Sequence, residues 1–135
     1  MRKKSGFTLI ELLVVMTIIA VLAGLALVSF QGARKTARDG KRKADLEQIR
    51  SALEMCYSDA NSYPLTGQIS SSVTCGGKTY LIPTPVDPST SANYYYSSGG
   101  TTYTLCASLE IGGGSVPSDC GSCGSSACNY KVTNP

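Results

Sequence analysis

A long apolar run near the N-terminus constrains this chain more than any other feature of its sequence. The run extends from Phe7 to Phe30, and only five of its residues are not strongly apolar: Thr8, Glu11, Thr17, Gly24 and Ser29. A helix of about 20 apolar residues spans the hydrocarbon core of a bilayer. We therefore predict that this run is inserted in a membrane and that the remaining residues fold around a small core.

Two simpler interpretations compete for the same run. One is a secretory signal peptide, since basic residues precede the apolar stretch and the segment from Ala26 to Ser29 is a weak cleavage site. The other is a plain single-pass anchor. Neither explains Glu11, because a charged side chain at the centre of a bilayer costs about 2.5–3.5 kcal/mol on insertion scales and usually has a partner.

Cleavage between Gly6 and Phe7 would supply that partner. Phe7 would then carry a free amine four residues before Glu11, and residues at this spacing are neighbours on one face of a helix. The amine could pair with Glu11 of its own chain or of an adjacent copy, and the pairing would keep the carboxylate charged in apolar surroundings. Pairing between copies would fix the axial register of helices whose apolar surfaces otherwise slide.

Apolar periodicity predicts that the helix continues beyond the membrane. Leu46, Ile49, Leu53 and Cys56 recur at steps of three and four residues, and no proline occurs before Pro64. We expect one helix over residues 8–59. The first half of this helix would lie in the bilayer, and the second half would pack on a head domain.

A hairpin provides the clearest strand signal in the head. Residues 94–98 and 101–109 flank a Gly-Gly pair, and apolar residues alternate with polar ones in the second arm. Residues 65–93 are interpreted as loop, and a weak third strand is expected over residues 129–132. The predicted fold class is α+β, with a long N-terminal α-helix packed on a small antiparallel β-sheet.

The predicted organisation has four parts. Residues 1–6 form a leader, residues 7–30 a transmembrane or filament-core helix, residues 31–61 an amphipathic helix, and residues 62–135 a disulfide-stabilised β head. The six cysteines of the chain lie in the last two parts: Cys56, Cys75, Cys106, Cys120, Cys123 and Cys128. An even number of cysteines in a small domain behind a membrane segment indicates disulfides in an oxidising compartment.

The cysteine spacing leaves several pairings open, since six cysteines allow fifteen connectivities. We favour Cys56 with Cys75, with the other cysteines attaching the C-terminal tail to the hairpin through Cys106. Cys120 and Cys123 also form a C-x-x-C sequence, for which the alternatives are a redox pair or part of a four-cysteine zinc site. Because this sequence lies in a Gly/Ser-rich tail, we favour structural disulfides and predict no metal site.

Basic residues cluster just after the apolar run: Arg34, Lys35, Arg38, Lys41, Arg42 and Lys43. Such a cluster could contact DNA phosphates or anionic lipid headgroups. A solvated helix face, or pairing with acidic heads of neighbouring copies, is the favoured interpretation, since acidic residues interrupt the cluster. Tyr94, Tyr95 and Tyr96 could likewise form an adhesive patch, but packing within the hairpin is more typical.

Enzymatic function has no support in the sequence. The chain has no histidine, which excludes histidine bases and histidine metal ligands. No arrangement of nucleophile, base and oxyanion donor is recognisable. We predict a structural protein that is not an enzyme.

The segment Lys-Lys-Ser-Gly-Phe-Thr-Leu-Ile-Glu-Leu-Leu-Val-Val, residues 3–15, closely resembles the class III leader of type IV prepilins and type II secretion pseudopilins. Ser-Tyr-Pro at residues 62–64, Val-Asp-Pro at 86–88 and the tyrosine-rich hairpin resemble the heads of major pseudopilins and related pilins. The resemblance implies cleavage after Gly6, N-methylation of Phe7 and a docking role for Glu11. It also implies a filament subunit, with a type II secretion pseudopilin or a DNA-binding competence pilin as alternatives.

The same resemblance implies partners and a location. The partners are copies of the chain itself, minor pilins, a prepilin peptidase, a platform protein and an assembly ATPase. The precursor would cross the cytoplasmic membrane once with its N-terminus inside, although the basic cluster alone favours the opposite orientation. Two departures stand out: Val28 replaces a proline that many type IV pilins carry, and Asp119 is the one acidic residue in the final stretch. Because Asp119 is the one carboxylate in that stretch, calcium is a weak alternative, and no cofactor is expected.

Overall fold

The computed structural model describes residues 6–134, without the side chain of Val28. The chain divides into two compact units, Met1–Lys35 and Thr36–Pro135. Within residues 6–134 the first unit is the exposed N-terminal part of one helix, whereas the second combines the rest of that helix with small antiparallel sheets. The predicted α+β fold class is confirmed.

Helix α1 extends over Leu9–Ala60. It ends where Asn61 adopts a left-handed conformation with φ of 53° and donates its N–H to the Tyr57 carbonyl at 2.8 Å. A left-handed residue directly after the last turn is a common helix end, and asparagine tolerates that conformation better than most residues. Pro64 follows and cannot continue the helix.

Over the described residues 61–134, the head contains seven short strands in three antiparallel sheets. The strands are β1 (Val73–Cys75), β2 (Lys78–Leu81), β3 (Tyr95–Ser98), β4 (Tyr103–Ala107), β5 (Ser122–Cys123), β6 (Ser126–Ala127) and β7 (Tyr130–Thr133). The largest sheet has the order β3-β4-β7. Its register places Leu105 of β4 between Tyr96 of β3 and Val132 of β7. The tyrosine-rich hairpin lies at the predicted place with shorter strands than predicted, and the third strand is shifted by one residue from its predicted range.

The core lies between the second half of α1 and the β3-β4-β7 sheet. Leu46, Ile49, Leu53 and Cys56 of α1 are buried with residues from one face of the hairpin: Tyr96, Tyr103, Leu105 and Ala107. Burying one such leucine or isoleucine contributes about 1.5–3 kcal/mol. The three-four periodicity of the helix and the alternation of strand β4 therefore describe two faces of the same core.

The loop predicted over residues 65–93 is wrong in part, because β1 and β2 form a hairpin there. Gly76 and Gly77 form its turn with φ of 55° and 79°, values that glycine adopts without steric cost. Val73 of this hairpin is fully buried in the core. The Gly-Gly pair between Val-Thr-Cys and Lys-Thr-Tyr-Leu is a local signal for this hairpin that the loop interpretation did not use.

All six cysteines form disulfides in the structure. Cys56 pairs with Cys75, the pairing favoured from the sequence, and attaches the end of α1 to the β1–β2 hairpin. Cys106 pairs with Cys120 and holds the tail against β4, while Cys123 pairs with Cys128 across the β5–β6 turn. The sequence separations are 19, 14 and 5 residues, and the two longer loops stabilise a fold most.

Candidate assembly site

The N-terminus of α1 carries the predicted assembly residues in a closed local arrangement. The carboxylate of Glu11 accepts the backbone N–H of Thr8 at 2.9 Å and the Thr8 hydroxyl at 2.8 Å. The Glu11 N–H in turn points to the Thr8 hydroxyl oxygen at 3.4 Å. This reciprocal pattern is a capping box, which satisfies backbone donors that the first helical turn leaves free.

Phe7 lies directly before this capping box. Its side chain is 86% exposed, and because the chain continues through Gly6 its nitrogen is a peptide nitrogen. The predicted partner of Glu11, a free Phe7 amine, is therefore not formed in the uncut chain. The capping threonine was not among the predicted site residues, although Thr8 three residues before Glu11 matches the sequence pattern of a capping box.

The apolar surface of this segment has no covering partner within its own unit. Every side chain that the structure describes from Phe7 to Phe30 is exposed, including Leu9 at 84% and Ile10 at 70%. In the part of the chain that the structure describes, α1 is the one helix long and apolar enough to cross a membrane. A continuous apolar surface of this size requires lipid or other helices around it.

Arg42 is the centre of a charged cluster in the head. Its side chain is almost fully buried, and its guanidinium donates to Asp87 at 2.6 Å, to Asp39 at 2.8 Å and to Glu110 at 3.0 Å. Arg38 binds both carboxylate oxygens of Glu110 at 2.6 Å. We name these five residues, Arg38, Asp39, Arg42, Asp87 and Glu110, the Arg42 cluster.

The Arg42 cluster joins α1 to two loops through backbone groups as well as side chains. Asp39 accepts the N–H groups of Glu110 and Ile111 at 2.9 and 2.7 Å. Asp87 accepts the N–H groups of Ser89 and Thr90 at 2.8 and 2.9 Å. The cluster therefore fixes the loop after β4 and the loop before β3 against the same turn of the helix.

The cluster lowers the pKa values of its carboxyl groups. Burial raises the pKa of Asp87, but hydrogen bonds from Arg42, Thr90 and Ser89 outweigh burial and lower it to about 2. The hydrogen bond from Arg38 acts most on Glu110, and with Arg42 it lowers the pKa of Glu110 to about 2 against the effect of burial. Both carboxylates are therefore fully charged at neutral pH.

Three buried tyrosines of the head donate their hydroxyls to other acidic residues of α1. Tyr94 donates to Asp45 at 2.8 Å, and Tyr63 and Tyr103 donate to Glu54 at 3.1 and 2.9 Å. Burial, and then the hydrogen bond with Asp45, raise the pKa of Tyr94 above its ordinary value. Helix carboxylates thus position the tyrosines of the head, a role that the sequence reading did not assign to Asp45 or Glu54.

The N-terminal segment and most of the chain are similar to known proteins. A family model described as the prokaryotic N-terminal methylation motif matches residues 1–27. Type II secretion system core protein G of Escherichia coli K12 is 36% identical over 92 residues, which cover 68% of this chain and 58% of that protein. The chain belongs to the type IV pilin and type II secretion pseudopilin family.

Further relatives come from both branches of the pilin family. Core protein G of Aeromonas hydrophila is 39% identical over 67 residues, covering 50% of this chain and 47% of that protein. The type IV wide pilus major component PilA4 of Thermus thermophilus is 46% identical over 63 residues, covering 47% of this chain and 48% of that protein. The chain spans about half the length of the relatives it matches, and no solved structure matches it significantly.

The predicted basic surface patch is wrong for Arg42, which is buried with 4% of its area exposed. Arg38 is also committed to Glu110. Of the remaining four residues, Arg34 stacks on Phe30 at 4.4 Å and Lys43 on Tyr130 at 5.5 Å. Arg42 lies four residues before Leu46, at the next step of the buried helical stripe, so the periodicity carried a signal for its burial.

The C-x-x-C sequence does not form a redox pair, since Cys120 and Cys123 bond to different partners. The same disulfides leave no thiolates for the zinc site considered from the sequence. Tyr94 and Tyr96 are buried, which removes two members of the adhesive tyrosine patch. Asp119, the acidic residue considered for calcium, pairs with Lys131 at 3.0 Å.

Acid is expected to destabilise the head. Asp87 and Glu110 have ordinary pKa values of 3.8 and 4.5 and folded values near 2, so the folded state binds fewer protons. Their stabilisation is complete above about pH 4.5 and is lost as the pH falls toward about 2, with Asp87 contributing on the order of 2 kcal/mol. Thermal unfolding of the full chain in detergent across this range measures the loss.

The matched control for this acid dependence is the double variant Asp87→Asn/Glu110→Gln. It should start less stable at neutral pH and show a flatter dependence, because the two titrating groups are gone. An unchanged acid dependence in the double variant would assign the effect to other carboxyl groups.

Proposed function

We propose that this protein is a structural subunit of a helical filament, which is either a type IV pilus or the pseudopilus of a type II secretion system. One observation supports this most: from Phe7 to Phe30 every described side chain is exposed. In the membrane, lipid covers this surface. In a filament, the same surface of neighbouring copies would cover it, with the heads on the outside.

Helix packing alone gives the filament little specificity. Lipid tails are as apolar as leucine, so exchanging lipid for a neighbouring helix supplies no hydrophobic driving force, and packing and polar contacts decide the association. Glu11 is the one charged side chain in the apolar run. Its pairing with an amine of a neighbouring copy would therefore set both the affinity and the axial register.

Processing would create that amine. Cleavage after Gly6 converts the peptide nitrogen of Phe7 into a terminal amine next to the Thr8–Glu11 capping box. N-methylation of Phe7 would keep the amine charged at neutral pH, because a secondary amine remains basic. The Glu11 carboxylate accepts two hydrogen bonds from Thr8 in the uncut chain, which reduces the cost of holding it in the bilayer until a neighbour arrives.

The proposed path begins with a single-pass precursor whose N-terminus lies in the cytoplasm and whose head lies outside. An oxidising compartment for the head suits its three disulfides. Partners would be further copies, minor pilins, a prepilin peptidase, a platform protein and an assembly ATPase. This role is mechanical, and we propose no catalysis and no cofactor.

Both branches of the family supply relatives, so pilus and pseudopilus are two forms of one proposal. Deleting the gene separates them: loss of long surface filaments identifies a pilus, and loss of enzyme secretion without a change in surface filaments identifies a pseudopilus. A DNA-binding competence pilin is not proposed, because Arg38 and Arg42, two of the six basic residues that such a surface would use, are paired with carboxylates of the head.

Replacing Gly6 with valine is expected to leave the precursor uncut. A branched side chain before the scissile bond obstructs the extended backbone that a peptidase must bind, whereas glycine offers no side chain. Intact mass spectrometry of the protein from cells should find residues 7–135 plus one methyl group for the native chain, and the full 135 residues for the variant.

Gly24→Ala is the matched control for this processing test. It also changes a glycine for a larger residue, but within α1, where a Cβ at Gly24 meets nothing within 4 Å. It should be processed normally. A native chain that retains Met1, or a Gly6→Val variant with the native mature mass, would contradict cleavage at this position.

A further inference from the structure

We infer that Arg34 and Lys35 form a binding site for anionic phospholipid headgroups at the end of the membrane-spanning segment. The inference rests on the membrane insertion proposed above and adds a partner of defined chemistry. The site lies wholly within the first unit, on the residues that follow Phe30.

The length of the apolar run places these residues at the depth of the headgroups. The 24 residues from Phe7 to Phe30 extend about 36 Å along a helix axis, and the hydrocarbon core of a bilayer is about 30 Å thick. Phe30 therefore lies near the boundary between hydrocarbon and headgroups. Arg34 and Lys35 follow about 6–8 Å farther along the axis, where lipid phosphates lie.

The contact between Arg34 and Phe30 orients the cation for this role. The guanidinium carbon lies 4.4 Å from the centre of the Phe30 ring, a cation–π contact. A guanidinium that lies over a ring by its face can still direct N–H donors along its edge toward another partner. A planar guanidinium with free N–H donors matches two oxygens of one phosphate.

No carboxylate in the first unit competes for these cations. Glu11 is the only acidic residue among residues 6–35, and it lies more than six turns away at the other end of the segment. Among the residues that the structure describes, no ion pair includes Arg34 or Lys35. Arg38 and Arg42, in contrast, are held by Glu110 and Asp87.

Lipid suits the two remaining cations better than a nucleic acid does. Phosphate contacts with DNA gain affinity from many cations along an extended surface, and two neighbouring residues supply few of them. Lipid headgroups surround the helix on every side, so Arg34 and Lys35 can both reach them although they point in different directions. Each basic residue near an anionic surface contributes appreciable attraction.

Native mass spectrometry of the full chain tests this site. The chain is extracted into mixed micelles containing equal amounts of phosphatidylglycerol and phosphatidylcholine, and the lipids retained by the protein are counted. We expect the native chain to retain phosphatidylglycerol in preference to phosphatidylcholine by roughly tenfold. Arg34→Gln/Lys35→Gln should remove most of this preference, and the remainder is what the basic leader residues supply.

Lys41→Gln/Lys43→Gln is the matched control, since it removes the same charge about 10–13 Å farther along the helix. It should retain the native lipid preference. The basic leader residues are identical in all three forms, so they do not affect the difference. Equal losses in both double variants, or no loss in either, would overturn the local site.

A separate measurement distinguishes failure of this inference from failure of the proposed function. Flotation with vesicles of phosphatidylcholine alone reports insertion without any anionic lipid. A chain that inserts there but shows no phosphatidylglycerol preference overturns the headgroup site and leaves the filament proposal intact. A chain that does not insert into these vesicles contradicts both.

Discussion

Replacing Glu11 with leucine is expected to abolish filament assembly while the subunit still enters the membrane. Insertion should be as efficient as before or better, because the change removes a residue whose burial costs about 2.5–3.5 kcal/mol. Assembly should fall at least about a hundredfold, since the amine of each neighbouring copy would lose its counter-charge in apolar surroundings. The fraction of subunit in sheared filaments, against the fraction in membranes, measures both effects.

Thr17→Leu is the matched control for the Glu11 variant. It also exchanges a polar residue for leucine within the apolar run, but the Thr17 hydroxyl donates only to the Val14 carbonyl of its own helix at 2.7 Å. It should assemble normally. Glu11→Gln adds a second comparison, because it keeps the shape and the hydrogen-bonding oxygen and removes the charge. Abundant filaments from the leucine variant would refute the role of Glu11 in register.

Replacing Arg42 with methionine is expected to cause the largest loss of stability of any single change in the head. The carboxylates of Asp39, Asp87 and Glu110 would remain near one another without their shared cation. Removing one partner of a buried ion pair costs about 3–5 kcal/mol, because the remaining charge is uncompensated. Denaturant unfolding of the full chain in detergent, followed by tyrosine fluorescence, measures the change in free energy.

Lys43→Met is the matched control, since it removes a cation from the adjacent part of the same helix. Lys43 is exposed, and exposed cations contribute about 0–1 kcal/mol. The Arg42 variant should also recover part of its loss as the pH falls, because protonation removes the uncompensated charges. A loss below about 1 kcal/mol, or no recovery in acid, would contradict the central role of Arg42.

Local sequence patterns predicted the main elements of the fold. The steps of three and four residues from Leu46 to Cys56 predicted the buried face of α1, and the Gly-Gly pair after Ser98 predicted the β3–β4 hairpin. Both signals depend on neighbours in sequence, so no knowledge of the rest of the chain was needed. The short β1–β2 hairpin was missed because its strands are stabilised mainly by Val73 in the core and by the Cys56–Cys75 disulfide.

The burial of individual basic residues was not predicted from the sequence. Six basic residues in ten positions were interpreted together as a solvated face, because a charge run by itself is most often exposed. In the structure Arg42 is buried and Arg34 is exposed, although the sequence around the two is similar in composition. The difference comes from Asp87 and Glu110, which lie 45 and 68 residues away along the chain.

The sequence by itself predicted the long apolar helix and the α+β class, and it carries the N-terminal motif with Gly6, Phe7 and Glu11 on which the assembly proposal rests. Those features depend on length, on periodicity and on residues within about four positions of each other. Only the tertiary structure decided which cysteines pair and which cations are neutralised within the head. The physical reason is that the choice among partners of similar chemistry depends on which segments the folded chain brings together, and local sequence does not encode that proximity.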